Sequence, residues 1–247
     1  MEKNVHFEPE GTKDIVVRLA WAQLDVFADD IEKIQVMATG DEGTVSDLRV
    51  MAKEHMLVIE QPQYGLSLNI IESHWMQVCV RIPRTWQEEI HLSTISGLLC
   101  TRGLEGSYIA LDTVSGDISV SRIHAGKISL RTISGDIRAE ALQAISLSVR
   151  SVSGNLVLNS TKTETLKCNS VSGEQSLHMD QEFQRMDISA VSGDVIIMAP
   201  VKRMNATLRS IGGSIRTEGV EIADDDTVPI VRVSGVSTGL KIVFVLP

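Results

Sequence analysis

Oxygen-bearing side chains recur at one fixed place in this 247-residue chain, and they are the first candidates for chemistry. Asp117, Asp136, Asn155, Glu174 and Asp194 each stand two residues after a serine. A column of such donors could hold Ca2+ between successive steps, with Asp117, Asp136 and Asp194 as ligands. Two carboxylates facing each other across a groove could instead cleave glycosidic bonds. Neither reading is favoured. The carboxylates recur as a file rather than converging as a pair. Calcium-binding solenoids use a nine-residue Gly/Asp-rich repeat, about half the period found here. Of Trp21, Tyr64, Trp75, Trp86 and Tyr108, only Tyr108 falls in the repetitive region, and no long insertion there could form a sugar-binding loop. An aspartate following glycine at a bend is expected to bond neighbouring backbone groups.

The remaining reactive residue types point the same way. His6, His55, His74, His91, His124 and His178 never fall at metal-ligand spacing, and no HExxH or CxxC accompanies them. Cys79, Cys100 and Cys168 are odd in number and far apart, so no disulfide framework is expected. Cys168 occupies an aliphatic slot and reads as a small buried hydrophobe. No phosphate-binding glycine loop is present. Serine is abundant because it is repeated, which makes it a lattice feature rather than a nucleophile. The chain is therefore expected to be no enzyme, with no catalytic residue, no cofactor and no metal.

The element that positions all these residues is a phrase repeated seven times: TISGLL, TVSGDI, TISGDI, SVSGNL, SVSGEQ, AVSGDV and SIGGSI. Its serine falls at Ser96, Ser115, Ser134, Ser153, Ser172 and Ser192, with Gly212 in the seventh slot and Ser234 read as a degenerate eighth. The spacings are 19, 19, 19, 19, 20, 20 and 22. So short and regular a period means one supersecondary unit stacked on copies of itself. Before the serine, apolar residues alternate: Ile109, Leu111 and Thr113 in one copy, Ile128, Leu130 and Thr132 in the next. That is a strand with one inward face. A second alternation follows the serine, as in Ile118 and Val120, but its parity is shifted, so the chain must bend between the two. Ile95, Val114, Ile133, Val152, Val171, Val191 and Ile211 stand at the bend, and their apolar character places them inward. The glycine after each serine reads as a site without room for Cβ, or one needing positive φ. Each repeat is thus one coil of two short strands meeting at a corner, closed by a polar return such as residues 124–127. The fold class is all-β: a single-stranded parallel β-solenoid (β-helix) of 19–20-residue coils.

Residues 14–90 read as irregular strands (14–21, 33–38, 47–52, 55–61 and 76–83), with a helix over 45–59 the weaker alternative. Residues 239–247 read as an apolar capping strand, and Asp224–Asp226 as an inserted surface loop. One domain over 1–247 is expected, divided into an irregular β region (14–90), regular coils (90–220) and a cap (221–247). Leu98 and Val236, read as the apolar replacements in the carboxylate column of the terminal copies, are expected beneath flanking segments.

Composition limits the partners. Apolar residues make up 43% of the chain but aromatics only 4%, so the interior must be Val, Ile and Leu. A net charge of −9 disfavours nucleic acid, and Arg131 and Arg150 share their outward column with Asp112 and Asn169, a mixed face rather than a basic stripe. No apolar run is long enough to span a membrane. The polar first residues lack a signal core, which suggests a cytoplasmic protein, or a surface protein whose leader has been removed.

Tandem VSGD phrases about 20 residues apart, preceded by Val78, Val80, Ile82 and Pro83 in a VxVxIP strand, resemble the bacterial putative-adhesin family of β-solenoid domains of unknown function. The similarity spans roughly residues 14–240, and Leu98, Gln175 and Gly212 depart from the pattern. The resemblance implies a non-catalytic, adhesin-like scaffold or interaction module that binds a protein or cell-envelope component. The alternative it implies is a cytoplasmic regulatory module of the envelope-stress response. A polysaccharide-active enzyme is a distant third. Oligomeric state is left open.

Overall fold

The computed structural model describes residues 1–61 and 75–246; Tyr64 and His74 lie outside them. The described chain is almost entirely β, with one short helix at Glu42–Asp47, and its sheet is open rather than closed into a barrel. Pairing in the repeat region is parallel, with a constant offset. Ile109 lies beside Ile128, Ile128 beside Leu147, and Leu147 beside Leu166. On the other side of the serine, Ile118, Ile137 and Leu156 form an equivalent file. Ser115, Ser134, Ser153 and Ser172 bridge directly from one rung to the next. Equivalent positions of successive copies are therefore neighbours about 4.8 Å apart, and each inward file is a column of like side chains.

The cross-section has three walls rather than two. In one turn, Ile118 and Val120 face inward, then Ile123 and Ala125, then Ile128, Leu130 and Thr132, all buried. The stretch expected to be a polar return is the middle wall: Leu104, Ile123 and Leu142 stack along it, followed by Thr161. The bend leading into it is made by left-handed backbone at Gly103, Arg122, Ala141 and Ser160, with φ of 69°, 54°, 56° and 51°. Three of those four are not glycine and pay about 1–2 kcal/mol each for that conformation. That is why no glycine signal marked this corner in the sequence.

A second correction concerns the bend at the serine. Ile95, Val114, Ile133, Val152, Val171 and Val191 do not face the core; they are between 41 and 49% exposed, and Ile211 is 89% exposed. Inward parity runs instead through the preceding Thr94, Thr113 and Thr132, all buried, and resumes after the glycine at Leu99, Ile118 and Ile137. The turn between is made by residues such as Gly135 and Gly154, with φ of 152° and 129°. A Cβ on Gly154 would lie 2.0 Å from the carbonyl oxygen of Gly135, so the rungs approach backbone to backbone there. Positive φ and lack of space both demand glycine.

At both ends, stacking order departs from chain order. Strands Asp14–Trp21 and Gln23–Asp29 form a rung with no SG phrase, lying between Met56–Glu60 with Met76–Pro83 on one side and Glu89–Ser96 with Leu99–Arg102 on the other. Beyond it, Glu2–Phe7 and Ile34–Gly40 continue the sheet antiparallel, and Arg49–Lys53 pairs antiparallel with Met56–Glu60. The strands read over 45–59 are present, and the helix is confined to six residues ahead of them. At the other end, Ile230–Ser237 and Leu240–Phe244 do not cap the stack. They are inserted between the rung at Arg185–Ala199 and the rung at Arg203–Glu218, paired parallel to both. In this register Ser237, not Ser234, faces Ser192. Val236 consequently belongs to the exposed Val/Ile file rather than the carboxylate column. It is 51% exposed, and Leu98 is also exposed, so neither lies under a flanking segment.

Candidate functional site

The corner at the serine is the most distinctive surface of the molecule. In stacking order, Ile95, Val114, Ile133, Val152, Val171, Val191, Val236 and Ile211 form an unbroken aliphatic file of eight rungs, on the order of 34 Å long at one strand spacing per step. Exposed apolar residues are ordinary when scattered; a contiguous file is not. The file is held outward by its own backbone. The carbonyl oxygens of Val114, Ile133, Val152 and Val171 accept the N–H of the serine one rung on, Ser134, Ser153, Ser172 and Ser192, at 2.8 to 3.0 Å. With the carbonyl engaged between rungs, the side chain cannot turn in without breaking the ladder. On one flank run the repeated serines. On the other run Ser93, Asp112, Arg131, Arg150 and Asn169, where Arg131 lies 3.4 Å from Asp112.

The carboxylate column lies just past the glycines and serves the backbone. Asp117 Oδ1 accepts the N–H of Asp136 at 2.8 Å, and Asp136 Oδ1 accepts that of Asn155 at 2.8 Å. Asn155 Oδ1 takes the N–H of Glu174 at 3.0 Å, and Asp194 Oδ1 that of Gly239 at 3.0 Å. Each short side chain satisfies an amide on the next rung that the turn has removed from the strand ladder. Asparagine does this as well as aspartate, which accounts for Asn155. The Arg138 guanidinium also reaches Asp136 at 2.6 Å and Asp117 at 3.7 Å. These contacts already engage Oδ1 of Asp117, Asp136 and Asp194. Among the described residues, no group of three or more His, Cys, Asp or Glu is arranged to hold a metal ion.

Inside, Thr94 Oγ1 donates to the Ser96 carbonyl at 2.9 Å and Ser170 Oγ to the Ser172 carbonyl at 3.3 Å, so these two hydroxyls bond backbone at the bend, whereas those of Thr113 and Ser151 are buried without a hydrogen bond. In the inserted rung Gly235 takes the hydroxyl position, and Thr238, three residues on, supplies the missing group by donating to the Ala190 carbonyl at 3.0 Å. Cys168 is buried, its thiol pushed up to about 12 by loss of solvent, and it donates to Gln175 Oε1 at 3.0 Å. That contact accounts for a glutamine in an inward aliphatic column. Cys79 and Cys100 flank Asp25 on adjacent rungs and are raised by burial first and by the Asp25 charge second. Asp224–Asp226 form a surface loop in which Asp225 accepts both the N–H and the hydroxyl of Thr227. His91 stacks edge-on against Tyr108 at 5.3 Å, in an ordinary surface cluster with Glu89 and Lys127.

The family Toastrack DUF4097 matches residues 12–228, nearly the whole rung array. The chain belongs to that family. Solved structures with the same fold include a protein described as a putative adhesin from Parabacteroides distasonis, 11% identical with a TM-score of 0.63, covering 98% of this chain and 97% of that one. One described as a putative lipid binding protein from the same species is 15% identical with a TM-score of 0.63, covering 97% and 96%. A putative adhesin from Bacteroides fragilis is 12% identical with a TM-score of 0.56, covering 99% and 97%. No curated protein matches. At such identities the likeness is one of fold, and it agrees with the family resemblance legible in the VSGD phrases. No helix among the described residues is long and apolar enough to cross a membrane.

Proposed function

We propose that this Toastrack protein is a non-catalytic, adhesin-like scaffold: a parallel β-solenoid of 19–20-residue coils whose serine corner is a docking edge for a protein partner. One observation carries the reading, the eight-rung file of half-exposed aliphatics. Burying a valine or isoleucine side chain is worth about 1.5–3 kcal/mol when complete, so half-buried residues retain roughly half of that for a partner to gain. The file is rigid because every rung is bonded to the next, so a partner meets an edge whose ordering cost has already been met on folding. The carboxylates support the same reading, since they bond to backbone rather than converge on a cleft.

The test is a triple variant, Val114→Asp, Val152→Asp and Val191→Asp, compared with an equally charged control, Ser119→Asp, Ser129→Asp and Ser148→Asp, on other outward columns. Both should fold, as judged by circular dichroism and melting temperature. A partner captured from the native host by the unaltered protein should be lost by the file variant and kept by the control. Retention by both would remove the file from the function.

A further inference from the structure

A second surface feature lies at a different corner, the one turned by left-handed residues. A depression of about 500 Å³ opens there, between the chain at Arg84 and the bends at Arg102–Glu105 and Arg122–His124. Its acids are already engaged. Asp29 accepts the Asp30 N–H and is paired with Arg81, which together hold its carboxyl below the ordinary range. Glu105 accepts a hydrogen bond from Gln87 Nε2 at 3.0 Å. Its cations are not engaged in this way. Among the described residues, Arg84, Arg102 and Arg122 have no carboxylate oxygen within 4.0 Å, and their side chains make no hydrogen bond. Arg102 is oriented by the Phe27 ring, whose centroid lies 5.5 Å from its guanidinium carbon, and Phe27 is itself placed between Arg102 and Arg81 on adjacent rungs. Arg84 contributes at longer range to the field that lowers Asp29, while Arg102 and Arg122 face the depression without an acidic partner, in a chain whose overall charge is −9.

We propose that this depression binds an oxyanion of the phosphate class, free or as a lipid headgroup. Arg84, Arg102 and Arg122 outnumber Asp29 and Glu105 on this lining, so an anion entering it meets a net positive surface. The planar guanidinium fork matches two oxygens of a tetrahedral oxyanion at once, which a single ammonium does not. A ring that fixes one guanidinium in advance lowers the ordering cost of that contact.

The experiment titrates the full chain with inorganic pyrophosphate by calorimetry at low salt, and separately sediments it with phosphatidylglycerol or phosphatidylcholine vesicles. Saturable pyrophosphate binding is expected, weakened at least tenfold in the double variant Arg102→Gln, Arg122→Gln and unchanged in Arg216→Gln at the far end of the stack. Should the double variant melt early, Arg122→Gln alone makes the same comparison. Sedimentation with phosphatidylglycerol only, reversed by pyrophosphate, identifies the headgroup as the source; pyrophosphate binding without sedimentation identifies free phosphate. The proposal is overturned by no saturable binding to either probe, by equal binding in the arginine variants, or by acetate binding as well as pyrophosphate.

Discussion

Two aliphatic files lie three residues apart in every copy, and they have opposite fates. Leu130 and Val149 are fully buried; Ile133 and Val152 are 48 and 43% exposed. The files share residue types, period and neighbours in sequence, so hydrophobicity alone cannot assign either to the core. What separates them is the backbone. The inward file sits on a straight strand, while the outward one sits where the chain has begun to turn toward a left-handed glycine and its carbonyl is committed to the adjacent rung. Here an apolar residue marks an edge as readily as an interior.

The contrast is tested hardest by placing the same charge in each file. Val149→Asp buries an unpaired carboxylate in a close-packed column, at a cost of several kcal/mol against a total stability of about 5–15 kcal/mol. No cooperative melting transition should be seen. Next in size is Gly154→Ala, whose new Cβ would meet the Gly135 carbonyl at a φ no alanine favours. It should cost about 3 kcal/mol, read from the urea midpoint, and a cost near zero would show that the rungs can part at the corner. Asp136→Ala should cost about 1 kcal/mol by removing the acceptor for the Asn155 amide, while Asp136→Asn, which keeps an oxygen there, should cost less than half as much. Equal losses would assign the column to charge rather than hydrogen bonding. The smallest effect is expected from Val152→Asp, within about 0.5 kcal/mol of the unaltered protein by thermal melting. Loss of the fold in that variant would return the file to the core.

The strands, their parallel order and the inward columns were legible because a repeat writes the same geometry many times, and Ile128, Leu147 and Leu166 need only one alignment to be placed together. The need for glycine was legible for the same reason. The outward file was not, because parity was carried past Thr132 to Ile133 on hydrophobicity, whereas the chain had already begun its turn. The middle wall was missed at Arg122, Ala141 and Ser160, since nothing in those residue types announces a left-handed bend. A rung without the phrase was also overlooked, although Ile15, Val17, Leu24 and Val26 keep the column spacing and lie beside Ile90, Leu92, Leu99 and Thr101. Adjacency in the chain is no guide to adjacency in the stack at either end, which is why the last strands read as a lid. The exposed aliphatic edge is therefore a product of backbone geometry rather than of residue type, while the carboxylates act as the backbone acceptors their position after glycine implies, but span rungs rather than a single bend.

The insertion of residues 230–244 between two earlier rungs has a consequence for how the molecule is made. As the chain leaves the ribosome, the segment at 203–218 emerges before the piece that must separate it from 185–199, so assembly cannot run as a simple zipper from first residue to last. Either the penultimate segment waits undocked or it binds prematurely and must let go. Completion is thereby tied to emergence of residues 230–244, and a nascent chain stalled before them would hold a gap where that rung belongs.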